Sequence, residues 1–424
     1  MRRNESWLTP LPNSFYSRGS HFRKSSSSVA GITKIIPVLL ILLVALASVV
    51  QILRPVPLPQ TRASLTNALV PGTKPVLPWS SQGGGELEVQ NVGTIGSVKP
   101  DTELPLGSVA KIITALVIVK DHPLSLGGTG PTITVSPSDV TLYQTMLSQQ
   151  DSVIPVASGE KLNEYQLLEA LLIPSANNIA YMLANWDAGS VAAFVAKMNA
   201  LANSLGVHTM TFKGPSGLNP HTMGSANDLV ISAQALLKNP VLSEIVAKPQ
   251  VSLPIVGVAY NIDYNVGHNG FIGIETGSMA NGGNLVFAAA GPSGSKDLIV
   301  GAVLGQPGTQ PLIAALGEAN KLVDAARKIP VTMRVLSAGQ TVALISAPGI
   351  APVPVRAAQS VSLLAWPSLR VSYSTTFSKL GHKVGKGAKV GTMKVSIGNQ
   401  AQTVALVATR AIQGPSLTWR LTRI

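Results

Sequence analysis

Cysteine is absent from the 424-residue chain. That excludes disulfide staples, thiolate metal sites and a cysteine nucleophile, while leaving an exported location open. Aromatic residues make up only 4%, too few for the stacking platforms that hold single-stranded nucleic acid. Charged residues amount to 12% against 46% hydrophobic, which excludes a disordered polyelectrolyte. A further shortage is local: residues 327–424 contain thirteen Lys and Arg and not one Asp or Glu. Residues 1–34 hold six basic residues against one acid, and residues 35–326 hold thirteen against eighteen. The net charge of +13 is therefore carried by the two ends. The acid-free end reads either as a domain kept soluble by its charge or as a surface for anionic polymer or lipid headgroups.

What is present begins with one long apolar run. Ile35 to Leu53 contains nineteen residues without a charge, enough at ~1.5 Å per residue to cross a hydrocarbon core of ~30 Å. Arg2, Arg3, Arg18, Arg23, Lys24 and Lys34 precede it. The excess of basic residues on that side predicts a cytoplasmic N-terminal tail, 1–34, and an extracytoplasmic remainder. A cleaved signal peptide is the competing reading, with Ala45-Leu46-Ala47 as its cleavage site. The length of the run and the lack of small residues at Leu53-Arg54-Pro55 favour an uncleaved transmembrane anchor, 35–53. Residues 54–80 carry six prolines and no acid, the composition of an extended linker. An exported chain also makes nucleic acid an unsuitable partner for the basic end.

Residues 81–326 mix helix and strand patterns. Val109 to Val119 is almost wholly apolar and reads as a helix buried on most sides. Ser190 to Leu205 repeats apolar residues at helical spacing, with Ser190 as cap and Gly206 as terminator. Ser225 to Leu237 has the same design, with Asp228 in the capping-box position. Asn284 to Ala290 and Leu298 to Leu304 read as neighbouring core strands, and Pro311 to Arg327 as a closing helix. The class is α/β (α+β), helices on a sheet. From 327 to 424 short β-branched runs alternate with Gly, Pro, Ser and Asn turns, as in a small all-β domain.

Three patterns carry chemistry. Ser108 and Lys111 open the buried helix three residues apart, hence on one face. A serine at a helix N-terminus lies where backbone N–H groups stabilise an oxyanion, and a buried lysine with a depressed pKa accepts its proton. The bland alternative is a capping serine beside a snorkelling lysine. The spacing recurs at Ser158…Lys161 and Ser293…Lys296, in turn-like stretches that open no apolar helix. Pro174-Ser175-Ala176-Asn177-Asn178 places a hydroxyl and an amide two apart, suited to proton relay and to holding a substrate amide; a helix cap is the alternative for Ser175. Gly273-Ile274-Glu275-Thr276-Gly277-Ser278 places a hydroxyl and a glycine where an edge strand lets a substrate lie close and binds its carboxylate.

In this order and spacing the three patterns resemble the D-alanyl-D-alanine carboxypeptidases, the low-molecular-mass penicillin-binding proteins, over about residues 84–326. Ser204-Leu205-Gly206-Val207, Gly214-Pro215-Ser216-Gly217-Leu218 and the Ser225-Ala226-Asn227-Asp228-Leu229 helix start add to the likeness. The resemblance implies a penicillin-binding/β-lactamase-like transpeptidase domain at 81–326, followed by the small basic β-rich domain at 327–424. It implies Ser108 as nucleophile, Lys111 as its base, Ser175 as relay to the leaving D-Ala and Asn177 as holder of the acyl-side amide. Thr276 would bind the terminal carboxylate, beside Gly277, and the N–H groups of Ser108 and Ser278 would form the oxyanion hole. It implies no metal and no diffusible cofactor, stem peptides of peptidoglycan as substrate, β-lactams as inhibitors, and anionic wall polymers as partners of the basic domain.

One position departs from the family: Glu275 stands where a lysine belongs. An acid beside an anionic substrate end costs on the order of a few kcal/mol in a partly dry site. A compensating cation, for which His268 is a candidate, a protonated Glu275 or an impaired site are the possible outcomes. The last leads to a wall-binding pseudoenzyme as the alternative function. A β-lactamase-type hydrolase is a further alternative, one for which no deacylating glutamate motif precedes Ser175.

Overall fold

The computed structural model describes residues 29–279, 282–292 and 295–423. The basic residues from Arg2 to Lys24, and the serine of the Ser293…Lys296 pair, lie outside the described residues. Helix Val29–Leu53 contains the apolar run, and Ile35–Leu53 is long and apolar enough to cross a membrane. The side chains of Ile35–Leu53 do not join the core: Leu43 is 69% exposed and Leu46 65%. An apolar surface of this kind in water is costly, and a bilayer removes the cost.

A five-stranded antiparallel sheet organises the next part. Its strand order is Phe271–Met279, Gly282–Ala290, Leu298–Gln306, Gly84–Val89 and Gly93–Val98. The strands Gly282–Ala290 and Leu298–Gln306 read as near-continuous apolar runs because both faces of the sheet are covered. Val286 and Ala288 face one core, Leu285, Phe287 and Ala289 the other, as the two-residue period requires. Helices Lys111–Asp121, Glu164–Leu172, Asn177–Ala188, Val191–Ser204 and Ala226–Lys238 supply the first core. Helix Pro311–Ala326 supplies the second, which continues into the C-terminal β-rich part.

The helix ends follow their sequences. Ser190 accepts from the Ala193 N–H, and Gly206 follows the helix at φ 79°. Ser225 accepts from the Asp228 N–H, but the Asp228 carboxylate does not return the bond as a capping box would. It accepts instead from the N–H and hydroxyl of Thr209, both at 2.6 Å. A carboxylate with two donors converging from outside the helix gains more there than from one cap N–H.

The C-terminal part is built on a seven-stranded sheet. Residues 54–80, expected as an extended linker, add two short strands to it. Gln60–Ala63 pairs with Thr341–Ser346 at one edge, and Ala68–Leu69 pairs with Arg370–Phe377 at the other. The six prolines of the segment all fall outside 60–69. That stretch keeps its N–H groups and satisfies edge strands that otherwise expose theirs. Helix Leu417–Thr422 returns to the end of the apolar helix. There the Arg423 guanidinium donates to the Gln51 carbonyl at 3.0 Å and Arg420 to the Ile52 carbonyl at 3.2 Å. Cations at the C-terminal carbonyls of a helix are favourable.

Candidate active site

Ser108 lies in a tight 3₁₀ turn, Gly107–Ala110, and the α-helix begins at Lys111 rather than at Val109. The turn is held from three sides. Asn284 donates to the carbonyls of Pro105 at 2.9 Å and Leu106 at 2.8 Å, Leu106 N–H donates to Thr222 O at 2.9 Å, and Thr114 Oγ1 donates to Pro215 O at 2.6 Å. Two glycines make the approach possible. A Cβ on Gly217, at φ 83°, would stand 1.8 Å from the Gly107 carbonyl oxygen. A Cβ on Gly277 would stand 2.8 Å from Leu106 O and 3.3 Å from Ser108 N. The edge strand Phe271–Met279 therefore lies directly against the serine turn.

The three-residue spacing brings the two side chains into contact. Lys111 Nζ donates to Ser108 Oγ at 2.8 Å, and it reaches Ser175 Oγ at 3.0 Å and Ser175 O at 2.8 Å. Lys111 is fully buried. Burial pushes its pKa down to about 8, opposed by the charges of Glu275 and Asp151.

Ser175 is not the cap of the following helix. The N-cap is Ala176, without a side-chain bond. Ser175 instead adopts φ 56°, a left-handed conformation that costs a serine ~1–3 kcal/mol and is kept where surroundings demand it. Its hydroxyl donates to Glu275 Oε1 at 2.7 Å. Glu275 is 2% exposed. Burial pushes its pKa up to about 8, against the pull of Lys111 and the Ser175 hydroxyl, with Asp263 adding to the rise.

A cleft of about 280 Å³ opens over this network, lined by Ser108, Ser175, Asn177, Thr276, Gly277 and Ser278 together with Gln150, Asp151, Ser152, Leu218, Ile262 and Leu312. Seven of the eight residues singled out in the sequence thus meet at one place, with Lys111 behind the lining. The eighth, Glu275, is not at the cleft surface: it sits behind Ser175. Asn177 Oδ1 is buried and has no partner among the described residues. His268 is exposed on a turn, so the cation facing Glu275 is Lys111. Ser158 and Lys161 are exposed and line no part of the cleft. Asp151 was missed by sequence reasoning. It follows helix Pro137–Ser148, and Asn178 fixes its loop through Ile154, accepting at 3.1 Å and donating at 3.0 Å.

A serine in the turn before an apolar helix, a buried lysine at the start of that helix, a Ser-x-Asn loop in direct contact with the lysine and an edge strand beside them form the arrangement of an acyl-serine enzyme of the penicillin-binding type. Comparison with known proteins agrees. A family model described as D-alanyl-D-alanine carboxypeptidase matches residues 90–306. The chain belongs to this family of serine peptidases, whose members work through an acyl-serine. A D-alanyl-D-alanine carboxypeptidase of a Streptomyces species is 30% identical over 261 residues, 57% of this chain and 87% of that protein. One of Mycobacterium tuberculosis is 29% identical over 208 residues, 47% and 67%. A D-alanyl-D-alanine endopeptidase of Pseudomonas aeruginosa is 28% identical over 190 residues, and the chain covers only 58% of its length. Among solved structures, penicillin binding protein 5 of Haemophilus influenzae shares the fold with a TM-score of 0.57 at 19% identity, over 81% of this chain and 100% of that one. The Streptomyces DD-transpeptidase superposes at 0.53 with 25% identity, over 60% and 99%. The fold is thus the α/β transpeptidase type with a small all-β domain after it and one apolar helix before it.

Proposed function

We propose that the chain is a membrane-anchored D-alanyl-D-alanine carboxypeptidase that trims the terminal D-Ala of peptidoglycan stem peptides. The observation that carries this reading is the 2.8 Å bond from buried Lys111 to Ser108, at the floor of a cleft that also holds Ser175, Asn177 and Thr276. Ser108 attacks the penultimate carbonyl and Lys111 takes its proton. The backbone N–H groups of Ser108 and Ser278 receive the oxyanion, Asn177 Oδ1 accepts from the acyl-side amide, and Thr276 meets the terminal carboxylate. Water then releases the acyl group, and β-lactams acylate Ser108 by the same route. Fluorescent penicillin labelling followed by a D-Ala release assay tests the reading: a chain that is neither labelled nor active rejects it.

A second reading has one observation in its favour. Among the described residues, Asp151 is the one charged side chain lining the cleft, so no lining cation receives an anionic peptide end. A pseudoenzyme that is acylated but turns over poorly would show stable labelling without release. Rapid recovery from the label would instead indicate a β-lactamase-type hydrolase.

The apolar helix is read as the anchor, with the N-terminus in the cytoplasm and the cleft outside. The C-terminal sheet is read as a contact for anionic wall polymer. Arg356, Lys389, Lys394 and Arg370 are all exposed on it, with hydroxyls opposite: Lys394 pairs with Ser374 and Thr403, Arg356 with Thr341. Without a single acid in residues 327–424, binding should weaken steeply as salt screens it.

A further inference from the structure

Glu275 closes a buried line of contacts. From Ser108 Oγ the line runs to Lys111 Nζ at 2.8 Å, to Ser175 Oγ at 3.0 Å and to Glu275 Oε1 at 2.7 Å. Glu275 Oε2 is buried and has no partner among the described residues. The charged groups that bear on the pair are few: Asp263 from the loop before the edge strand acts on Glu275, and Asp151 from the far side of the cleft acts on Lys111. An acid that merely filled the place of a lysine would not need a hydroxyl shared with the base.

We propose that Glu275 is a positioning residue that holds a proton for Lys111 through Ser175, making the lysine a neutral base without exchange with solvent. The inference rests on the acyl-serine reading above. One proton passes from Lys111 Nζ to Ser175 Oγ while the Ser175 proton passes to Glu275 Oε1. Ammonium, hydroxyl and carboxylate become amine, hydroxyl and carboxylic acid, with no change in net charge. As Ser108 Oγ bonds to the carbonyl carbon, its proton goes to the Lys111 amine. When the C–N bond breaks, the leaving nitrogen takes the Ser175 proton, and Glu275 refills Ser175. The cycle ends with ammonium and carboxylate restored, an acyl-serine and a neutral leaving amine.

The energetics favour such a transfer. Desolvation disfavours the charged form of each group, lowering Lys111 and raising Glu275, so that their proton affinities move toward each other. That convergence lowers the cost of exchanging a proton along the line of contacts, and a base poised near the working pH is the efficient one.

The test uses the full-length protein, with kcat/KM for D-Ala release measured from pH 5 to 9 for the native chain, Glu275→Gln, Ser175→Ala and the double variant. Glutamine accepts from Ser175 but cannot take its proton. Its plateau should fall at least about tenfold. Its acid limb should also move to higher pH, because Lys111 must then shed its proton alone, with no partner to share the loss. Since Glu275 acts through Ser175, the double variant should lose no more than Ser175→Ala alone. A lost hydrogen bond alone would lower the plateau and leave the limb in place, and that result would overturn the proposal, as would losses that multiply. Penicillin labelling and release by the native chain keep the two readings apart: a native chain with neither defeats both, whereas an active one indifferent to Glu275→Gln defeats only the relay.

Discussion

Lys111 and Glu275 meet through one hydroxyl, the Ser175 Oγ that stands 3.0 Å from the amine and 2.7 Å from the carboxyl. The left-handed backbone at Ser175 makes this possible, because it turns both the carbonyl and the hydroxyl of one residue toward the lysine. Reversing the charge at position 275 has therefore not opened a gap in the network. It has given the network an acceptor at its far end.

The first prediction concerns the nucleophile. Ser108→Ala removes one hydroxyl from a turn whose other restraints come from Asn284, Thr222 and Gly277, so the variant should fold. It should form no covalent β-lactam adduct. Intact-mass spectrometry after incubation with penicillin checks this, and an adduct of the drug's mass on the variant would reassign the nucleophile.

The second concerns Asp151. Its negative charge helps retain the Lys111 proton. Asp151→Asn removes that charge from the cleft wall, so Lys111 should lose its proton more readily. The acid limb of the acylation rate should shift to lower pH, opposite to Glu275→Gln, because Asp151 acts on Lys111 only through its charge and takes no part in the proton transfer. Stopped-flow acylation by a chromogenic cephalosporin from pH 5 to 9 reads the shift.

How much of this was legible depends on how local the cause is. Ser108 and Lys111 lie one helical turn apart, and Ser190 and Gly206 carry their own capping chemistry. Such features are written in consecutive residues. The partner of Glu275 lies 100 positions away, and no spacing rule reaches that far. Asp151 was missed because a lone acid after a helix reads as a turn. The strand Val353–Ala357 was missed because Pro354 argues against an inner strand, yet the chain accepts it between two neighbours. The edge strands within 54–80 were missed because two to four residues show no periodicity. Only the sheet they complete makes them strands.

The third prediction concerns stability. Glu164 is fully buried, and neither carboxyl oxygen has a partner among the described residues. Burial raises its pKa to about 7 from the 4.5 of a free glutamate. A raised carboxyl stabilises the fold fully below the unfolded value, and the contribution is lost as pH rises through the folded one. The native chain should lose on the order of 2 kcal/mol between pH 4.5 and 7 from this group. Glu164→Gln should flatten that slope. Thermal melts of both chains at half-unit steps across the window check the sign, and parallel slopes would refute it.

The fourth concerns topology. A reporter fused after Ile424 should be active only if it is of a kind that works outside the cytoplasm. A paired cytoplasmic reporter at the same position should be silent. Activity of the cytoplasmic reporter would reverse the orientation and remove the wall as the site of action.

The last prediction restores the family's lysine. A D-Ala-D-Ala end is anionic, so a cation near it should strengthen binding if the site is merely impaired, and Glu275→Lys would then raise kcat/KM by at least about tenfold, ~1.4 kcal/mol. The geometry argues the other way. A charged lysine at this position cannot accept from Ser175, so the hydroxyl loses its far partner. It would stand close to Lys111, and two buried ammonium groups repel. Asp263, the acid that acts on Glu275 and has one buried oxygen without a partner among the described residues, would draw the new cation away from the hydroxyl. Glu275→Lys should therefore lower kcat/KM at least about tenfold at pH 7 and above. The loss should appear in kcat more than in KM, because the cleft lining is untouched. Steady-state kinetics of both chains on one peptide from pH 5 to 9 decide the matter. A faster lysine variant at any pH in that range would mean that Glu275 impairs the site and holds no proton for it.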